Sequence, residues 1–146
     1  MPDPYVNQLL DQNLPCREKP PVEAQVNTVL HARADKRGME LCPYPSRAVL
    51  KYEIHELIIT ADEAGPGKLV NRIAYLCFFE VLNSGMLWVG DRLEINGRTV
   101  GTLAGYEFAH MPNHMNIIIQ AAEPLQTGFE LGLHPGNPVR FVFPGS

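Results

Sequence analysis

A chain of 146 residues, 45% hydrophobic and 19% charged, has the make-up of a globular protein able to bury one core, which excludes disorder along the whole chain. Twelve basic residues stand against sixteen acidic ones for a formal charge of -4, and the basic residues are scattered, so a nucleic-acid partner is not expected. No stretch approaches the roughly 18 apolar residues of a membrane helix, the opening Met-Pro-Asp-Pro-Tyr has neither a basic nor an apolar leader region, and Cys16, Cys42 and Cys77 form no CxxC pair. A soluble cytoplasmic protein without a membrane partner is the expectation.

Five prolines fall within residues 1–21 (Pro2, Pro4, Pro15, Pro20, Pro21), which reads as an extended, proline-rich N-terminal arm with Tyr5, Leu9 and Leu10 as apolar anchors. Residues 22–146 then read as one domain. Val22 to Ala34 fits a helical face (Val22, Val26, Val29, Leu30) and also strand alternation (Val26, Thr28, Leu30, Ala32), and its β-prone Val and Thr favour the strand. Asp35 to Gly38 is a turn by composition, and Met39 to Cys42 a short strand stopped by Pro43 and Pro45. Ala48 to Thr60 alternates imperfectly, as one strand with a single bulge would, and Asp62 to Lys68 is a loop.

Leu69 to Leu82 is nearly continuous in apolar residues and reads as a central strand buried on both faces, with Cys77 packed inside. Leu93-Glu94-Ile95 and Arg98-Thr99-Val100 flank Asn96-Gly97, a dipeptide suited to the positive φ pair of a type I′ turn, so a tight hairpin is predicted. Further strands are predicted at Gly101–Tyr106, Met115–Ala121 and Val139–Phe143. Short strands at this spacing predict an all-β fold, a single small, closed or nearly closed antiparallel β-barrel.

Three features together resemble a known family: the apolar strand running into Asn83-Ser84-Gly85-Met86-Leu87-Trp88-Val89-Gly90, the hairpin Asp91 to Leu103, and Asn113-His114-Met115-Asn116-Ile117 followed by Pro135-Gly136 and a last strand. Over roughly residues 76–143 the chain resembles the GutA-like family, the glucitol/sorbitol-specific IIA component of the sugar phosphotransferase system. The resemblance implies a small β-barrel and, in the family, a phosphocarrier histidine on the strand before the Gly-containing turn. Here that strand reads Cys77-Phe78-Phe79-Glu80-Val81-Leu82-Asn83, without a histidine. What transfers is the barrel, and a fold does not carry its function with it.

The residues that could carry chemistry fall in three places. His110-Met111-Pro112-Asn113-His114 holds two imidazoles four residues apart. With Glu107 as third ligand, and Glu53 or Glu80 as other carboxylates of the right type, His110 and His114 would make a site for a divalent transition metal; otherwise His114 hydrogen-bonds at the barrel rim and His110 is solvated. In Glu53-Ile54-His55-Glu56, alternation sends Glu53 and His55 to one face and Glu56 to the other, as a carboxylate-oriented base or as an ordinary polar strand edge. Glu80, within the most apolar run, either faces water near Asn83 or enters a polar pocket, and Glu80, Asn83, Asn113 and His114 are the candidate ligand-binding set. Arg72 and Arg140 are candidate partners for such acids.

No P-loop, GxGxxG turn or nucleophile elbow is present. The leading expectation is a non-catalytic barrel without a cofactor that binds a sugar-like small molecule or a partner protein. The alternatives are a metal-dependent enzyme using His110, His114 and a carboxylate, and a structural subunit that forms homo-oligomers through its N-terminal arm.

Overall fold

The computed structural model describes residues 16 and 18–144, and most of the predicted N-terminal arm lies outside them. Among the described residues there are twelve strands and no helix: β1 (Val22–Val29), β2 (Arg33–Ala34), β3 (Met39–Glu40), β4 (Ser46–Val49), β5 (Ile54–Thr60), β6 (Leu69–Val70), β7 (Ile73–Val81), β8 (Gly85–Trp88), β9 (Arg92–Ile95), β10 (Arg98–Glu107), β11 (Asn116–Gln120) and β12 (Pro138–Val142). No helix long and apolar enough to cross a membrane occurs among them.

The main sheet runs β1-β12-β9-β10-β11-β5-β7-β2, and an added β1–β7 pairing closes seven of these strands into a ring. All pairings are antiparallel except β5 with β11, which is parallel, so the antiparallel expectation is corrected at that seam. Antiparallel neighbours follow from short turns such as Asn96-Gly97, whose φ values of 55° and 76° are the positive pair a tight hairpin needs. A parallel pair needs a long crossover, and the stretch from Thr60 to Asn116, which contains β6 to β10, supplies it.

Alternation sets the two faces. Val22, Ala24 and Val26 of β1 are buried while Glu23 and Gln25 are partly exposed. Inside the ring Phe79 and Phe141 lie 5.6 Å apart with Leu57, Tyr106 and Ile117. Fully burying a side chain such as Phe79 is worth about 1.5–3 kcal/mol. A second cluster forms on the outside, where Met39, Leu41 and Val70 from the β3–β6 ribbon cover Ile58, Ile73, Ala104 and Ile118.

Three predicted strands are divided differently. Val22–Ala34 is strand, as β1 and β2 with a break at Leu30–Ala32. Ala48–Thr60 is not one bulged strand: a turn at Leu50–Glu53, with Tyr52 at φ 77°, separates β4, which pairs with β8 in its own small sheet, from β5 in the ring. Leu69–Leu82 is interrupted because Asp62 Oδ2 accepts from the backbone N–H groups of Asn71 (2.9 Å) and Arg72 (3.0 Å), which splits β6 from β7. In the other direction, the second hairpin strand and the predicted Gly101–Tyr106 strand are one, β10, with its register shifted at two places.

Candidate functional site

The single parallel seam joins two sequence segments that read as separate. Because β5 and β11 run the same way, their N-terminal ends coincide, and Glu56 falls opposite Asn116. The register then lays a row across the outer face: Glu107, Asn116, Glu56, Phe78 and Thr28, one from each of β10, β11, β5, β7 and β1. Above it His114 Nε2 lies 3.3 Å from Glu56 Oε1, and its ring meets Phe78 edge-on at 5.0 Å.

His110 joins this layer through one turn rather than a helix. Its carbonyl accepts from the N–H groups of both Asn113 (2.9 Å) and His114 (3.3 Å), so residues four apart share a side despite Pro112. The two rings stack at 5.0 Å with 19° between planes, His110 outermost and exposed. His55 points the other way, into the ring, tilted against Phe79 at 6.3 Å.

Both nitrogens of each buried histidine are occupied. The Met115 N–H donates to His55 Nδ1 (3.0 Å), so in the neutral ring the proton sits on Nε2, facing Glu53 Oε1 at 3.4 Å. In the same way the Asn113 amide nitrogen donates to His114 Nδ1 (2.9 Å), leaving Nε2–H to donate to Glu56. Burial holds His55 below the ordinary imidazole range, assisted by the charges of His114 and Arg47 and opposed by Glu53. Burial likewise raises Glu56, against the pull of His114, His110 and Arg37. Cys77, fully buried, is pushed up to about 12 by burial and by the Glu56 charge.

The other predicted site residues have local partners. Glu107 Oε1 accepts from Asn116 Nδ2 (2.9 Å) and the Ala109 N–H (3.3 Å), so the carboxylate at His114 is that of Glu56. Among the described residues no group of three His, Cys, Asp or Glu side chains converges as a metal site. Glu80 lies one row beyond Phe78 and accepts from Gln25 Nε2 (3.1 Å). Asn83 clamps the approach to β1, accepting from the Glu23 N–H (2.6 Å) and donating to the Pro21 carbonyl (3.2 Å). Asn113 and His114 are therefore together, while Glu80 and Asn83 are engaged elsewhere. Arg72 pairs with Glu123 (3.1 Å), and Arg140 with Glu23 (2.9 Å) and Glu94 (3.7 Å).

Open space lies toward the other end of β5 and β11. Two clefts meet at Ala121 and Ala122. One, about 700 Å³, is a shallow trough lined by small residues such as Ala61, Ala64, Gly90 and Ala104. The other, about 630 Å³, is more enclosed: Ile59, Ile95 and Leu133 form its apolar part, and Arg98, Thr99 and Gln126 its polar part. None of these six was a sequence candidate, although the Asn96-Gly97 turn that carries Arg98 was evident. What faces that turn depends on the non-local register.

No curated protein and no solved structure is significantly similar to the chain. A family model does match over residues 16–142, and the chain belongs to that family, DUF6917, a family of unknown function.

Proposed function

We propose that the protein is a non-catalytic binding protein that holds a small molecule in the 630 Å³ cleft beside the β9–β10 hairpin. The cleft itself carries the reading. Its size falls within the range of small-molecule sites, and it joins an apolar surface to a few polar groups, the usual composition of such sites. The two buried histidines fit this reading, while His110, exposed at the edge of the cluster, has no ring hydrogen bond among the described residues. A general base or metal ligand needs a free lone pair, and both nitrogens of His55 and of His114 are engaged within the chain.

The finer fold reading, a closed barrel of the GutA-like type, belongs to the same proposal. Ring closure through β1–β7 and the β9–β10 hairpin support it. A cytoplasmic location is supported by the three free cysteines.

The test is a thermal-shift and methyl-NMR screen of sugars, sugar phosphates and organic acids. Compounds that bind should move the methyl resonances of Ile95 and Leu133, and Ala122→Trp, at an exposed lining position, should block them. Binders that perturb only residues around His114 would overturn the reading.

A further inference from the structure

We infer that the cleft selects an organic carboxylate with an apolar body, read by Arg98; this rests on the cleft being the binding site. The first observation is charge. Among the described residues Arg98 is the one charged residue lining the cleft. The adjoining trough contributes Glu123, but that carboxylate is 3.1 Å from the Arg72 guanidinium.

The second observation is the state of the guanidinium. Arg33, Arg72, Arg92 and Arg140 each pair with a carboxylate, whereas Arg98, exposed at the cleft, makes no ion pair among the described residues; Arg37 and Arg47 also lack one, but neither lines the cleft, and Arg47 lies over the Phe108 ring. An arginine presents a planar fork of donors that fits a carboxylate through two parallel hydrogen bonds, and it stays charged at any physiological pH. Among the described residues the Thr99 hydroxyl and the Gln126 amide also have no side-chain hydrogen-bond partner, so they can take further ligand oxygens.

The third observation is positioning. Arg98 is the first residue after the Asn96-Gly97 turn and pairs with Ile95, so the hairpin that carries the cation also supplies part of the apolar surface. Asn96 Nδ2 donates to Asn137 Oδ1 (3.2 Å), which ties the turn to the segment leading into β12. A ligand lying on Ile59, Ile95 and Leu133 would place a terminal carboxylate at the guanidinium. A neutral polyol would leave that charge unused, and a phosphate without an apolar body would leave the floor unused.

The experiment is methyl NMR of the full chain titrated with benzoate and with benzamide, which differ in charge but hardly in shape, on wild type and Arg98→Gln. Benzoate is expected to shift the methyls of Ile59, Ile95 and Leu133. Benzamide, and benzoate with Arg98→Gln, are expected to bind about tenfold more weakly or worse, because a charge-assisted bidentate pair is lost. Equal binding of benzoate and benzamide would overturn the carboxylate assignment while leaving the cleft as the site. Benzoate shifts confined to residues outside the cleft would overturn both. An absence of any benzoate shift overturns the carboxylate assignment, and the wider screen then decides the cleft by itself.

Discussion

Glu56 of β5 and Asn116 of β11 stand side by side on the outer face because their strands are parallel, and from this pairing the histidine cluster is built. An antiparallel seam would bring the start of one strand to the end of the other and leave His55-Glu56 remote from Asn113-His114. The buried carboxylate then has one ring partner, His114 Nε2 at 3.3 Å, and His114 has one further partner in Asn113.

Removing that carboxylate should cost more than neutralising it. Glu56→Ala leaves the Nε2–H of a buried imidazole without an acceptor, and roughly 2 kcal/mol of stability is expected to go. Glu56→Gln keeps an oxygen acceptor and removes a charge that burial already disfavours, so a change within about 1 kcal/mol is expected. Because folding raises the Glu56 pKa, the folded state holds the proton more tightly, and stability falls as pH rises from 4.5 through the raised value. Urea unfolding of both variants at two pH values checks each part, and equal losses would show that His114 does not depend on this acceptor.

How much of this was legible is clear from particular residues. Asn96-Gly97 declared its hairpin, and the Val-rich and aromatic runs declared strands, because turn chemistry and alternation are local. Glu53 and His55, assigned to one face by alternation, do meet at 3.4 Å, although Glu53 lies in the turn before β5 and not in the strand itself. Alternation assigns Glu56 to the face opposite Glu53 and His55, but its partner His114, 58 positions away, depends on a register that no local pattern encodes. The break at Asn71 was hidden likewise, since its cause is the carboxylate of Asp62 and not a glycine or proline in the strand.

His55 should make the fold acid-sensitive. Its folded pKa lies below the ordinary 6.5, so the unfolded chain binds the proton more readily. The stability contributed by the neutral buried ring is complete above 6.5 and is lost as pH falls through the folded value. Glu53, His114 and Arg47 are the charged or titratable groups acting on it. The urea midpoint is expected to drop between about pH 7.5 and about pH 5.5, and less so in His55→Asn, whose side-chain oxygen can still accept from the Met115 N–H. An unchanged slope in the variant would assign the acid sensitivity to another group.

The three thiols should react at different rates. Cys16 and Cys42 are partly exposed, whereas Cys77 is fully buried and its thiol is pushed up to about 12. At neutral pH almost no thiolate exists at Cys77 to attack a disulfide reagent. Its modification in native protein should therefore follow the opening of the fold and accelerate with urea, while that of Cys16 does not. Mass mapping after a short exposure checks this, and early labelling at Cys77 would contradict the packing.

Gly128 marks a contact where backbone meets backbone. A Cβ built there would lie 1.8 Å from the Leu76 carbonyl oxygen and 3.3 Å from that of Leu30. The glycine sits in the segment whose Gly128 and Phe129 N–H groups donate to the Tyr75 and Leu30 carbonyls, tying it to β7 and to the end of β1. No rotamer can relieve a clash with a main-chain oxygen, so Gly128→Ala must push this segment outward, together with Leu133 of the apolar core. A loss of roughly 3 kcal/mol is expected. Gly136→Ala is the control, with open space around its Cβ position but φ at 92°, so its cost is the smaller one of backbone strain. Thermal unfolding of the two variants separates the effects, and a Gly128→Ala protein as stable as wild type would show that this segment does not pack on β7 as described.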